Sequence, residues 1–307
     1  MSRSAQRDLR ATCVLPAGAQ LGECPVWDPR DARLYWVDID GQVIHRYDPA
    51  TGDADRRSTP GRPGALALTE TAGRMLVALE GRLGWIDWPS GEWRDWIQLE
   101  PEGQGNRLND GRCDPVGRFW VGSMFTPTSA RRTTGLLHRV GPDGTAVTVR
   151  SGIGVTNGLA FAPDGRTMYF ADTPRETVWA YDYDVETGEA TNERVFLDFT
   201  ALPGRPDGGC VDEDGCYWIA CVYGGVVLRV TPAGAIDRRV ALPVSKPTRP
   251  TFGGPGLSTL FITTIGVRGS DTAGPREPEG GGLFAIEIDQ RGLPEVPFAG
   301  RPAGWTA

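Results

Sequence analysis

Short apolar runs recur along the chain, each introduced by a tight turn. R-L-Y-W-V-D-I (33–39), R-M-L-V-A-L (74–79), R-F-W-V-G-S-M (118–124), T-M-Y-F-A-D-T (167–173), C-Y-W-I-A-C-V (216–222) and T-L-F-I-T-T-I (259–265) follow the turns D-P-R-D, T-A-G, D-P-V-G, A-P-D-G, D-E-D-G and G-P-G. Runs this short, rich in aromatic and β-branched residues and bounded by Gly, Pro and Asp, predict buried strands rather than helices. An apolar strand precedes each turn. A third strand follows each run: Q-V-I-H-R-Y-D (42–48), R-L-G-W-I-D-W (82–88), G-L-L-H-R-V (135–140), T-V-W-A-Y-D-Y (177–183), G-V-V-L-R-V (225–230) and G-L-F-A-I-E-I (282–288). Fourth strands carry a weaker pattern. The unit recurs about every 45 residues, the period of propeller blades.

Six such units predict an all-β fold, a six-bladed β-propeller. No amphipathic helix of roughly 10–15 residues separates the strands, which disfavours a parallel sheet with crossover helices. No internal linker appears, so 1–307 is expected to be a single domain. A ring must be closed, and residues 9–15 are expected to form an outer strand paired with the last blade near Glu295–Phe298. The segments 125–134 and 266–281 exceed the usual connection length and are expected to be surface loops.

One offset repeats with the blades. Glu23 opens E-C-P-V-W-D (23–28), Asn109 opens N-D-G-R-C-D (109–114), Asn157 opens N-G-L-A-F-A (157–162) and Asp207 opens D-G-G-C-V-D (207–212). Equivalent positions in a cyclic repeat converge on the axis, and two carboxylates with two carboxamides form a hard-cation donor set. Taken singly, Asn157-Gly158 and Asp207-Gly208 are also ordinary turn signals. The turn chemistry of those repeats, however, lies downstream in A-P-D-G-R (162–166) and D-E-D-G-C (212–216), and Glu23 has no turn role. Blade 2 carries Gly64 at the matching position. Blade 6 carries Arg249 there, where an exposed arginine is an equally admissible reading. In R-L-N-D-G (107–111), Arg107, Asn109 and Asp110 stand together, with Arg107 and Asn109 alternating onto one face of an extended segment. A guanidinium fork beside a carboxamide suits a polyhydroxylated ligand with a carbonyl, although a turn with a solvated arginine fits those residues equally.

A formal charge of −7 and a pI near 5.1 argue against nucleic acid or anionic membrane as a partner. No apolar run reaches about 18 residues, the length of a membrane span. The N-terminal M-S-R-S-A-Q-R-D-L-R lacks the apolar core of a signal peptide, so a cytoplasmic location is expected. The six cysteines are dispersed without a C-x-x-C pair and are expected to be reduced thiols packed as small hydrophobes. The two histidines, His45 and His138, stand alone, so a metal is expected to be held by oxygen.

The segments L-G-E-C-P-V-W-D (21–28), R-L-N-D-G-R-C-D-P-V-G-R-F-W-V-G-S-M (107–124), T-N-G-L-A-F-A-P-D-G (156–165) and R-P-D-G-G-C-V-D-E-D-G (205–215) together resemble the family of gluconolactonase, the senescence-marker protein and the luciferin-regenerating enzyme, over nearly the whole chain. The resemblance implies a six-bladed propeller holding one divalent metal, with ligands at Glu23, Asn157 and Asp207. It implies substrate binding by Arg107 and Asn109, and a general-base role for Asp207. One departure stands out. Some gluconolactonases of the family carry an acidic sugar-binding residue shortly after G-[ST]-M, whereas here G-S-M (122–124) runs into F-T-P-T-S and the corresponding position is near Pro127. The expected substrate is therefore a sugar lactone other than gluconolactone, such as a pentonolactone, or a less polar lactone, with Phe125 narrowing or greasing the pocket.

The implied reaction is metal-dependent hydrolysis of an aldonolactone. A divalent ion would act as Lewis acid on the ring carbonyl, a water as nucleophile, and Asp207 as general base or as the group that orients the nucleophile. Calcium is the default ion, with magnesium, manganese, iron(II) and zinc admissible. A serine triad is disfavoured, because no G-x-S-x-G elbow is present and neither histidine opens a repeat. Two other classes fit the fold. One is an organophosphate or phosphotriester hydrolase using the same site. The other is a non-catalytic protein-binding propeller, which a filled axial channel and a large exposed apolar rim would mark.

Overall fold

Each of the six expected second strands forms, at Arg33–Asp38, Arg74–Ala78, Phe119–Phe125, Thr167–Asp172, Tyr217–Val222 and Thr259–Thr264. The computed structural model describes residues 9–266 and 277–301. Every second strand lies between an innermost and a third strand of an antiparallel sheet. Blade 1, for example, runs Gly22–Asp28, Arg33–Asp38, Val43–Tyr47 and Ala54–Ser58. The innermost strands open the other blades at Ala65–Leu68, Asn106–Cys113, Thr156–Phe161, Arg205–Val211 and Pro247–Gly253. The architecture is an all-β, six-bladed propeller.

Burial explains which strands are legible. Inner strands are covered on both faces, by the adjacent blades, and read as continuous apolar runs. The fourth strand of blade 1, A-D-R-R-S, is almost wholly exposed and has no pattern to read. In blades 1, 3, 4 and 5 an aspartate fixes the turn between first and second strands. Asp114 accepts the backbone N–H groups of Val116 and Arg118, each at 3.0 Å, and Asp212 those of Asp214 and Cys216 at 3.1 and 2.9 Å.

The ring closes as a circle of innermost strands, each packed on the next, with Pro247–Gly253 against Gly22–Asp28. Across that last seam the Thr248 hydroxyl donates to the Gly22 carbonyl at 2.6 Å. The N-terminal segment does complete the last blade, but not where expected. Thr12–Leu15 pairs antiparallel with Leu283–Glu287 as the fourth strand of blade 6, and Leu9–Arg10 pairs parallel with Ile236–Ala241 of blade 5.

Residues Glu295–Phe298 do not take part in that closure. They run past blade 2, where the Phe298 N–H donates to the Leu68 carbonyl at 2.7 Å and its ring packs against both Trp85 and Trp96, with centroids 5.7 and 5.6 Å away. Full burial of such a ring stabilises by about 1.5–3 kcal/mol, more than an edge strand would recover for it. Glu295 pairs with Arg112 at 2.8 Å.

The 125–134 loop contains a single 3-10 turn, Thr128–Ala130. Most of the other long loop, residues 267–276, and residues 1–8 of the N-terminal stretch lie outside the described residues. The cysteines are free thiols, five buried and Cys13 half-buried, as expected. Among the described residues no helix is long and apolar enough to cross a membrane.

Candidate functional site

Five of the six innermost strands slip register against their neighbours at the candidate position. The slips fall between Glu23 and Val26, Leu108 and Gly111, Asn157 and Ala160, Pro206 and Gly209, and Pro247 and Arg249. Blade 2, with no polar residue there, pairs without a slip. A bulge re-aims the side chain beside it, and here it turns one residue per blade toward the axis. The N-G and D-G pairs therefore serve bulges. Gly158 has φ +66°, and an added Cβ would lie 2.5 Å from the Tyr217 hydroxyl. The turns of those blades close downstream, Gly165 N–H to the Ala162 carbonyl and Gly215 N–H to the Asp212 carbonyl.

Glu23, Arg107, Asn109, Asn157 and Asp207 all line one cavity of about 480 Å³, a volume typical of small-molecule sites. Each of the five is buried. Gly64 contributes nothing: a Cβ there would sit 2.2 Å from the Leu108 carbonyl oxygen. Arg249 is not an exposed arginine. It is 1% accessible, and Nη1 lies 2.5 Å from Asp110 Oδ1 and 3.2 Å from the Gly111 carbonyl. Asp110 consequently leaves the Arg107–Asn109 pair and points away from the cavity. Its Oδ2 accepts the Leu159 N–H at 2.9 Å.

Glu23 and Asp207 both line this cavity, and the Cys24 N–H donates to Glu23 Oε2 at 3.0 Å. Burial, followed by the charge of Asp110, pushes the Glu23 carboxyl up to about 7, against the opposing pull of the Cys24 N–H and Arg249. Two carboxyls buried in one cavity favour a shared proton or a bound cation. Around them runs a polar chain. Arg107 Nη1 donates to Asn109 Oδ1 at 2.6 Å, and Asn109 Nδ2 donates to the Thr156 carbonyl at 2.8 Å and toward Asn157 Oδ1 at 3.3 Å. Asn157 Nδ2 donates to Thr173 Oγ1 at 2.8 Å, and that hydroxyl donates to the Pro206 carbonyl at 2.8 Å. Thr173 thereby fixes which edge of the Asn157 amide is oxygen.

The donor set is all oxygen, two carboxyls and neighbouring carboxamides, which fits a hard divalent ion. Among the described residues no three His, Cys, Asp or Glu side chains gather at one point. An ion held here would need carboxamide oxygen as its third protein ligand.

Phe125, expected at the pocket, lines it. Several other lining residues escape a reading of the repeats: Arg131, Arg132, Arg205 and Tyr223 surround the mouth. Arg131 and Arg132 belong to the long 125–134 loop, whose length was its only signal. Tyr223 follows the second strand of blade 5 with φ +69° and is 62% exposed. Neither histidine reaches the cavity. His45 stacks on Trp36 at 4.7 Å, and His138 Nε2 lies 3.2 Å from Glu100.

Residues 21–266 match the family described as the SMP-30/gluconolactonase/LRE-like region. The chain is 37% identical over 290 residues to the 6-deoxy-6-sulfogluconolactonase of Pseudomonas putida, covering 94% of this chain and 98% of that one. It is 36% identical over 294 residues to the pentonolactonase XacC of Haloferax volcanii, covering 94% and 97%. The solved structure of a calcium-binding protein, regucalcin, from Agrobacterium tumefaciens superposes with a TM-score of 0.88 at 29% identity, covering 95% and 98%.

Proposed function

The chain belongs to the SMP-30/gluconolactonase/LRE-like family, and from that premise we propose that it is a hydrolase opening the ring of a sugar lactone in the axial cavity. The observation that carries the reading is the meeting of Glu23, Arg107, Asn109, Asn157 and Asp207 in one cavity. Relatives named for sulfogluconolactone and pentonolactone hydrolysis support the substrate class. Exposed large hydrophobics among the described residues are valines and Tyr223, which gives little support to a protein-binding rim.

Glu23, Asn157 and Asp207 would hold one divalent ion, with calcium favoured by the hard oxygen donors and by the regucalcin relative, and such an ion would supply Lewis acidity at the lactone carbonyl. Asp207 would accept the proton of the attacking water. Glu23, buried in the same cavity and held by the Cys24 N–H at 3.0 Å, would supply the second carboxylate of that ligand set. Arg107 and Asn109 would orient the sugar by donating to its hydroxyls or ring oxygen, with Asn109 itself anchored on the Thr156 carbonyl. Thr173 would act as a positioning residue for Asn157. A cytoplasmic setting is part of the proposal, supported by six free thiols.

The test is a panel of aldonolactones, with an organophosphate ester beside them, assayed on metal-stripped and reconstituted protein. Lactone opening restored by a divalent ion is expected. Reconstituted protein that opens no lactone, or that prefers the organophosphate, would overturn the reading.

A further inference from the structure

The charge around the cavity is inverted relative to the protein as a whole. The chain carries −7, yet four arginines line this cavity, Arg107, Arg131, Arg132 and Arg205, against only two carboxyl groups, Glu23 and Asp207. The two carboxyls are buried in the site. Among the arginines, Arg107 is buried against Asn109, and Arg205 is within 3.3 Å of Glu176. Arg131 and Arg132 are different. Both are exposed on the 125–134 loop, and among the described residues neither forms an ion pair. Arg132 is also held in place, its guanidinium 4.4 Å from the centre of the Phe125 ring, a cation–π contact that orients it at the mouth. Thr128, Ser129 and Thr133 line the same wall with hydroxyl donors. Two guanidinium forks that form no ion pair among the described residues, beside hydroxyls, are suited to an oxyanion with several equivalent oxygens.

We propose that Arg131 and Arg132 form a subsite for a sulfonate or phosphate group carried on the end of the lactone remote from the reacting carbonyl, so that anionic sugar lactones are preferred over neutral ones. The inference rests on the lactonase reading of the cavity. Arginines at an open mouth also raise the local concentration of an anionic substrate, an effect that added salt screens.

The experiment compares kcat/KM for glucono-δ-lactone, its 6-phosphate and its 6-deoxy-6-sulfonate, in phosphate- and sulfate-free buffer at low and high ionic strength. Wild type should favour an anionic lactone by about tenfold or more at low salt, with the advantage shrinking as salt rises. A larger advantage for the phosphate identifies a dianion as the preferred group, and a larger one for the sulfonate identifies a monoanion.

In the double variant Arg131→Ala/Arg132→Ala the ratio of anionic to neutral substrate should fall close to one. Arg131→Lys/Arg132→Lys should keep part of it, since the charge remains and the fork is lost. A wild-type ratio near one, or a high ratio that survives in the alanine variant, overturns the proposal. Should no lactone be opened, the hydrolase reading itself fails. Calorimetric titration with ring-opened 6-phosphogluconate then decides the subsite separately, and equal binding by wild type and the alanine variant overturns it.

Discussion

Arg249, on the innermost strand of blade 6, reaches across the axis to place Nη1 2.5 Å from Asp110 Oδ1 on the innermost strand of blade 3, with both side chains 1% exposed. The pair ties opposite sides of the ring together beneath the cavity. It also accounts for a glycine. A Cβ on Gly208 would lie 2.5 Å from the Arg249 side chain, so D-G-G leaves room for the arginine stem to pass. The carboxylate that opens blade 5 and the arginine that floors the cavity are thus packed by one sequence feature.

Breaking this pair should be costly. Asp110→Ala leaves a guanidinium buried without its counter-charge, and a loss of about 3–5 kcal/mol of stability is expected. Asp110→Leu combined with Arg249→Met removes both charges and should recover much of that loss. Urea unfolding of wild type, single and double variants checks it. A single variant within about 1 kcal/mol of wild type would show that the pair is not a structural tie.

The repeat was legible because most inner strands, buried on both faces, are continuous apolar runs bounded by turns. The second strand of blade 4, T-M-Y-F-A-D (167–172), is an example. The candidate site was legible for the same reason: in fully apolar surroundings, Glu23 and Asp207 stand out as polar residues at one repeat position. Arg249 occupied that position too, but nothing local specified its partner 139 residues away. Phe298 misled for the opposite reason. Its hydrophobicity announced burial but not the partner, and Trp85 and Trp96 lie far away in sequence. Arg131 and Arg132 sit in a loop with no period, where residue type gives no direction.

Asp207→Asn should reduce lactone turnover by roughly 10²-fold or more in kcat, the usual size of a lost general base. The variant should remain folded, because the blade core does not depend on that carboxylate. Turnover and thermal unfolding of the metal-loaded variant, measured together, decide the matter. Near-normal kcat in a folded, loaded protein would rule out Asp207 as base or essential ligand.

His45 gives a pH dependence away from the site. Burial holds the imidazole below its ordinary 6.5, with Asp38 opposing and Arg56 adding to the shift. Its Nε2 is buried without a hydrogen-bond partner. The unfolded chain therefore binds a proton in a range where the folded protein does not. The contribution of His45 is fully present above about pH 6.5 and is lost as the pH falls toward the lower folded value. His45→Phe keeps a ring against Trp36 and removes the titration. Between about pH 7.5 and 5.5, wild type should lose stability relative to this variant. Parallel stability-versus-pH curves would refute the assignment.

Arg107 should act on every lactone alike. Its Nη1 meets Asn109 Oδ1 at 2.6 Å inside the cavity, so it bears on the part of the ligand common to all aldonolactones. Arg107→Ala should raise KM across a panel of neutral substrates, by an amount matching one hydrogen bond from a charged donor, about 1.5–3 kcal/mol. Discrimination among neutral epimers should behave differently. No carboxylate of the 125–134 loop lines the cavity to read a remote hydroxyl, so epimers differing there should separate by only about 0.5–1.5 kcal/mol. Neutral pentonolactones should then be opened at least as well as gluconolactone. Strict preference for gluconolactone by several orders of magnitude would contradict this, as would a ligand complex in which the Arg107 side chain points to solvent.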